Sequence, residues 1–255
     1  MAVQDSNKSG TALRALQVME MLGSAGRSLS VAEVAEGIGA DRSTAYRMLV
    51  TLLDAGYVRR DASEKHYQLG YKLLSLTKGL LNDGERAKLI DAALGRISAG
   101  TQETAHYSVF DRDACVLVQR SKGTQLVAVD FQIGDRSPLH CSSAGKMLLA
   151  YLDSRRVEEI MARGLPRLAI NSKTTPEEMR TELARIRAQG YALDDREFHD
   201  DMRCVSVPVF DKSGMAAAIS LSGPSSRFTI EKLHQLLPPI TEAANDLSRK
   251  FGGLP

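Results

Sequence analysis

Between residues 30 and 70 the chain reads SVAEVAEGIGADRSTAYRMLVTLLDAGYVRRDASEKHYQLG: two short helical patterns, a glycine break and a basic hairpin in direct succession. Ser30 followed by Glu33 is a capping box, so a helix starts there. Gly37 and Gly39 break it after about two turns. Asp41 then offers a side-chain oxygen at a second helix start. Along that helix Ala45, Met48, Leu49, Leu52 and Leu53 recur at helical spacing and should face a core. Arg42, Ser43, Thr44, Tyr46 and Arg47 crowd its first turns, and all carry hydrogen-bond donors. Gly56 ends it. Residues 57–60 and 65–69 then read as two strands around a turn at 61–64.

A short helix, a tight turn and a second helix with donors at its N-terminal end meet the requirements of major-groove reading, and the basic hairpin makes a wing. The same pattern also serves plain protein interaction. Here the polar residues bunch at one helix end instead of spreading along a solvated face, which favours double-stranded DNA as the partner. Residues 11–22 (TALRALQVMEML) form a preceding amphipathic helix, with Leu13, Leu16, Met19 and Leu22 on roughly one face and Thr11 placed to cap it. Arg14 projects from its first turn towards a phosphate. Net charge is only +2, yet residues 1–80 hold ten Lys or Arg against eight Asp or Glu, and the remainder is balanced. The basic patch is therefore local: Arg42, Arg47, Arg59, Arg60 and Lys65. Phosphate contacts by these residues would make binding salt-dependent.

At 255 residues the chain suits two domains, and 43% apolar with 25% charged residues describes a globular protein with a sizeable core. No apolar run approaches the roughly 20 residues of a membrane span. The start, MAVQDSNKSGT, lacks a signal-like apolar segment, so it reads as a mobile arm and the expected location is the cytoplasm. Cys115, Cys141 and Cys204 have no metal-ligand spacing and read as buried reduced thiols, fit to line a pocket. No metal or cofactor is expected. Residues 70–83 suit a linker helix packing on a second copy of itself, or an ordinary core helix, and 85–98 form a further amphipathic helix. Beyond residue 100 the texture becomes α/β. Segments 104–110, 114–120, 126–131, 191–196, 205–210 and 215–222 are strand-like. Helical patterns occupy 142–152, 176–189 and 229–251. This order predicts a curved antiparallel sheet with helices on one face, and an α+β fold class overall.

The runs RALQVMEML, SVAEVAEGIGADRSTAYRMLVTLLDAGYVRRD, YQLGYKLLSL, SPLHCSSAGKMLLAYL, GYALDDREFHDDMRCVSVPVFD and AAISLSGPSSRFT, in this order and spacing, resemble an IclR-type transcriptional regulator over residues 10–252. The resemblance implies four regions: a flexible arm (1–9), a winged helix-turn-helix domain (10–70), a linker helix (71–84) and a GAF-like effector-binding domain (85–255). It implies a homodimer, often a dimer of dimers, on a palindromic or pseudo-palindromic operator, with a small organic acid or aromatic effector. Carried over by position, the effector residues are Ser143 and Ala144 in the SSAGK turn, Asp194, Cys204, and Ser220 with Ser222 in SLSGP. Leu126, Val129 and Met202 match the apolar side of that site. The position before Ala144 is often Gly in this family; Ser143 narrows the cavity and adds a hydroxyl.

The chemistry of these positions converges. Ser143 and Ala144 sit where a helix begins, and free amides there bind a carboxylate. Ser220 and Ser222 are two apart on a strand, so both hydroxyls face one side. SSAGK is not a phosphate loop, because His140 stands where the first glycine must be and Met147 follows Lys146 in place of Ser or Thr. His140 beside Cys141 is no thiol catalyst either, since sequence neighbours usually point apart and no orienting group is evident. Two alternatives stay open at this point. One is a thiol enzyme using Cys204 or Cys141; the other is a ligand-free oligomerising DNA-binding protein.

Overall fold

The structure is a computed structural model that describes residues 9–61, 65–81 and 84–254. The chain divides into two compact units, residues 1–83 and 84–255.

The first unit runs α1 (Gly10–Ser24), β1 (Leu29–Ser30), α2 (Val31–Gly37), α3 (Arg42–Asp54), β2 (Val58–Arg60), β3 (His66–Leu69) and α4 (Lys72–Leu81). Both halves of the Ser30–Glu33 capping box are made, and Asp41 caps α3 by accepting from the Thr44 amide at 2.9 Å. Between the two helices Gly39 turns with φ +60°, a conformation that costs a side-chain-bearing residue energy. Strands β2 and β3 form the hairpin, with β1 completing an antiparallel sheet in the order β1-β3-β2. Val18, Val34, Ala45 and Leu49 are fully enclosed at the centre.

Three expectations for this unit change. Ser9, not Thr11, caps α1. Leu13 and Leu16 are half-exposed, and the inward stripe is Val18 and Leu22, because the small core reaches only the second half of the helix. The expected strand at 57–60 starts at Val58 and its partner at His66. The arm at 1–8, the wing residues 62–64 and positions 82–83 of the expected linker lie outside the described residues.

In the second unit, α5 (Gly84–Thr101) precedes a six-stranded antiparallel sheet ordered β6-β5-β4-β9-β8-β7. Its strands are β4 (Thr104–Asp111), β5 (Ala114–Ser121), β6 (Arg136–Pro138), β7 (Ala192–Asp195), β8 (Met202–Asp211) and β9 (Gly214–Pro224). Helices α6 (Ser143–Ala150), α7 (Ser154–Met161) and α8 (Pro176–Gln189) lie between β6 and β7, and α9 (Ile230–Lys250) closes the chain. The strands alternate, as a two-residue period requires. Ala105, Tyr107, Val205, Val207, Ile219 and Leu221 pack on α5 and α9. The opposite face meets α6, α7 and α8 through Cys115, Ala192 and Ala218. Helices thus cover both faces, not one as expected, because each face carries enough apolar surface to need a cover.

The expected strand at 126–131 is absent; these residues form an irregular loop, and Arg136–Pro138 pairs with β5 in its place. The loop's backbone is held by a side chain instead of a ladder: Arg120 donates to Asp130, to the Phe131 carbonyl and to Gln132.

Leu49 is fully enclosed among α1, α2 and the hairpin. Leu49→Ala should cost the first unit about 2–5 kcal/mol. Urea denaturation followed by circular dichroism would show it as an earlier transition of this unit alone.

Candidate functional sites

The N-terminal end of α3 presents Arg42, Tyr46 and Arg47 to solvent, and their side chains make no hydrogen bond or ion pair among the described residues. Ser43 and Thr44 behave differently from expectation. Ser43 Oγ donates to Asp41 Oδ1 at 2.6 Å and Thr44 Oγ1 to Oδ2 at 2.7 Å. These hydroxyl bonds, with that from the Thr44 amide, hold the Asp41 carboxyl well below the usual range. Both hydroxyl protons are committed to the cap, so an incoming partner meets acceptors at these positions, and the arginines and Tyr46 are the unengaged donors.

In the hairpin, Arg59 is braced: its Nε donates to the Leu69 carbonyl at 3.3 Å and its guanidinium lies 4.6 Å from the Tyr71 ring centroid. Arg60 is exposed and leans over Tyr67 at 5.8 Å. Lys65 and Arg14 are exposed.

The second unit encloses a cavity of about 250 Å³ between the inner sheet face and the start of α6. Its floor takes two residues from each of four strands: His106 and Ser108 from β4, Ser220 and Ser222 from β9, Met202 and Cys204 from β8, and Cys115 and Leu117 from β5. Ser142, Ser143 and Ala144 close one side, Phe131 and Phe198 another. Asp135 and Arg136, both exposed, form its solvent edge. The amides of Ser143 and Ala144 precede the helix's own bonding, and Ser142 caps α6 by accepting from the Gly145 amide at 3.1 Å. Gly145 has a packing reason to be glycine: an added Cβ would lie 2.7 Å from Leu139 Cα and 2.8 Å from the Pro138 carbonyl oxygen. The SSAGK turn thus seats a helix end tightly on β6, with its lysine pointing away into protein.

Of the expected effector residues, Ser143, Ala144, Met202, Cys204, Ser220 and Ser222 share this cavity. Leu126, Val129 and Asp194 do not line it. Leu126 is fully exposed and Val129 half-buried, since their segment is loop and only its Phe131 reaches inward. Asp194 lies on the edge strand β7, one strand beyond the floor, paired in register with Cys204. It accepts from the Glu197 and Phe198 amides at 2.8 and 3.3 Å, and so fixes the turn that presents Phe198 to the cavity. Burial, with the nearby Glu197 charge, pushes its carboxyl up to about 7 against those amide bonds.

Sequence reasoning missed His106 and Ser108, although their i, i+2 spacing on a strand is the signal that marked Ser220 and Ser222. It also missed the ion cluster beneath the cavity. Lys146 is fully buried and contacts Glu197 at 2.6 and 2.7 Å and Glu182 at 2.9 Å. Lys173 and Arg185 add further pairs to Glu197 and Glu182. Burial works against the Glu182 charge, but Lys146 and Arg185 outweigh it and hold the carboxyl below its ordinary value.

Two family models match the chain. The model described as IclR helix-turn-helix domain covers residues 11–62, and that described as bacterial transcriptional regulator IclR C-terminal covers 82–249. The transcriptional regulator KdgR of Dickeya chrysanthemi is 30% identical over 99% of this chain and 84% of its own length. The crystal structure of Thermotoga maritima IclR superposes with a TM-score of 0.79 at 30% identity, covering 95% of this chain and 98% of that one. An IclR homologue from Microbacterium hydrocarbonoxydans, crystallised with 4-hydroxybenzoate, shares the fold at 21% identity and a TM-score of 0.83, over 95% and 99% of the two chains.

Asp194 supplies a test of the geometry. Its folded value, about 7, lies above the unfolded 3.8, so the native state keeps a proton that the unfolded chain has already released. Its contribution to stability therefore falls as pH rises from about 4 to 7. Asparagine keeps the acceptor for both amides and does not titrate. The stability of Asp194→Asn relative to the unaltered protein should rise between pH 4.5 and 7.5, measured by urea denaturation at each pH; a pH-independent difference would place Asp194 in a solvated site.

Proposed function

The chain belongs to the IclR family of bacterial transcriptional regulators, and from that premise we propose that it is switched by a small organic carboxylate, most suitably an aromatic one, held in the 250 Å³ cavity. The observation that carries this reading is the cavity itself. Two serine hydroxyls on β9 and the first amides of α6 converge on one space beside two phenylalanines. Hydroxyls and free amides satisfy carboxylate oxygens, and the rings accept an apolar body. The Microbacterium relative crystallised with 4-hydroxybenzoate supports an aromatic acid as a suitable class.

The α3 helix enters the major groove. Arg42 and Arg47, with Tyr46, make base or phosphate contacts, while Ser43 and Thr44 support them through the Asp41 cap. Arg14, Arg59, Arg60 and Lys65 bind phosphates. The operator is palindromic or pseudo-palindromic and the protein acts in the cytoplasm as a dimer or dimer of dimers. Exposed Tyr71, Leu74 and Leu76 around α4 and Leu13 and Leu16 on α1 support self-association, since apolar groups at this density favour a cover. The GAF-like domain reports occupancy by biasing the dimer between DNA-competent and incompetent arrangements. DNA must then change effector affinity by the same factor as effector changes DNA affinity.

A thiol-dependent reaction has little chemical support. Burial pushes Cys141 up to about 12 and Cys204 well above its ordinary value, and raises Cys115. Thiols held protonated are poor nucleophiles. The family is one of regulators, not of enzymes.

Arg42→Ala should weaken operator binding by about 1–3 kcal/mol if it reads a guanine, with relaxed preference at that base. Fluorescence anisotropy across a salt series checks this; unchanged affinity and salt slope would remove Arg42 from the interface. In a thermal-shift panel of small aliphatic and aromatic carboxylates, a matching acid at ~100 times its dissociation constant should add roughly 2.7 kcal/mol. The gain should vanish in Ser143→Leu, which fills the cavity. A panel that shifts nothing would return weight to a ligand-free oligomerising role.

A further inference from the structure

His106 is the one cavity-lining side chain whose polar atoms are both buried and unanswered among the described residues. It is 2% exposed, and neither Nδ1 nor Nε2 has a hydrogen-bond partner. It stands at the centre of a polar row running straight across the sheet, in register with Ser220 on β9 and Arg120 on β5. Ser220 in turn pairs with Ser206, whose hydroxyl is also buried without a partner among the described residues. A histidine kept for structure alone would find a partner, because leaving a buried polar group unpaired is costly.

We infer that His106 reads a hydroxyl group on the effector, so that the cavity takes a hydroxy-substituted aromatic acid in preference to the parent acid. The inference rests on the reading of this cavity as the effector site. Three observations make a hydroxyl the fitting group. First, the imidazole is neutral: burial and the Arg120 charge, opposed by Asp130, take it down to about 4. A neutral imidazole offers one donor and one acceptor. A hydroxyl is also both, so it satisfies whichever ring nitrogen faces it in either tautomer. A carboxylate accepts only, and would oppose the imidazole lone pair in one of the two.

Second, the cationic alternative beside His106 is already engaged. Arg120 pairs with Asp130 at 2.6 Å and also holds the Phe131 carbonyl and Gln132. The carboxylate is accordingly left to the first amides of α6, and the ligand's hydroxyl to His106 on the sheet. Third, the walls are aromatic. The Phe131 ring lies edge-on to His106 at 5.9 Å and 74°, and tilts against Phe198 at 5.9 Å. At about 30 Å³ for each water, 250 Å³ equals roughly eight waters, the size class of a single ring with one or two small substituents.

The test is calorimetric titration of the full chain at pH 7.5 with benzoate and the three monohydroxybenzoates. The unaltered protein should bind at least one hydroxybenzoate tenfold or more tightly than benzoate. His106→Phe should bring that ratio to near one while still binding benzoate, and His106→Gln, which keeps a donor and an acceptor, should retain part of the preference. Affinities within twofold for all four acids in the unaltered protein would overturn the assignment, as would a tenfold ratio that survives in His106→Phe. If none of the four binds, the aromatic-effector reading fails first and takes this inference with it. Should His106→Phe not fold, His106→Leu serves in its place and the ratio in the unaltered protein decides independently.

Discussion

The second unit depends on one buried cation. Lys146 lies on the first turns of α6, Glu182 on α8, and Glu197 just past β7. A fully buried ammonium must find negative charge, and the two carboxylates that supply it come from two further segments of the unit. Such a cluster is weak evidence for net stability, since desolvating the ions offsets much of their attraction. Its value is positional. Removing any member would strand a buried charge, so the three elements hold one relative placement. That placement sets the start of α6, which closes one side of the cavity, and the 195–198 turn, which carries Phe198 to another. Lys173 and Arg185, nearer to solvent, supply the additional positive charge two glutamates require.

The sheet between these layers does two jobs with one alternation. Residues at odd positions of β4, such as Ala105 and Tyr107, are apolar and packed on α5 and α9. Those at even positions, His106 and Ser108, are polar and face the cavity. The same split on β9 puts Ile219 and Leu221 in the core and Ser220 and Ser222 on the floor. A polar floor is expensive to bury, and His106, whose ring nitrogens have no partner among the described residues, shows where the cost is concentrated. The apolar face, sealed by two long helices, is what permits the other face to stay incompletely satisfied.

Much of this was readable in advance wherever the signal was local. Ser30 with Glu33 and Asp41 before Arg42 fixed helix starts because a cap is a contact between residues three apart. Ser220 and Ser222 announced a shared face through strand period alone. Segment 126–131 misled because its apolar content mimics a strand, while its actual conformation is set by Arg120, some ten residues back. The Lys146 cluster was illegible for the same reason at greater range: its partners lie 36 and 51 residues away. Leu13 and Leu16 had the right spacing on the wrong part of their helix, because periodicity gives a face but not how far a core extends along it.

At the other end of the chain the Asp41 cap constrains which side chains α3 can offer to a partner. A carboxylate at the tip of a recognition helix would repel phosphate if left bare. Here the Ser43 and Thr44 hydroxyls and the Thr44 amide all point at it, so its charge is spread over three donors and the helix N-terminus. The same bonds remove those hydroxyl protons from competition for bases. On the proposed DNA-reading role of α3, sequence selectivity falls on Arg42, Tyr46 and Arg47, whose side chains are exposed and unpaired among the described residues. A reader built mainly on arginine has a preference for guanine edges and a steep dependence on salt. In the proposed dimer, an effector that alters how two such helices are presented together would change affinity through many phosphate contacts at once. On that reading, differential binding in the cavity passes to operator affinity by the same factor.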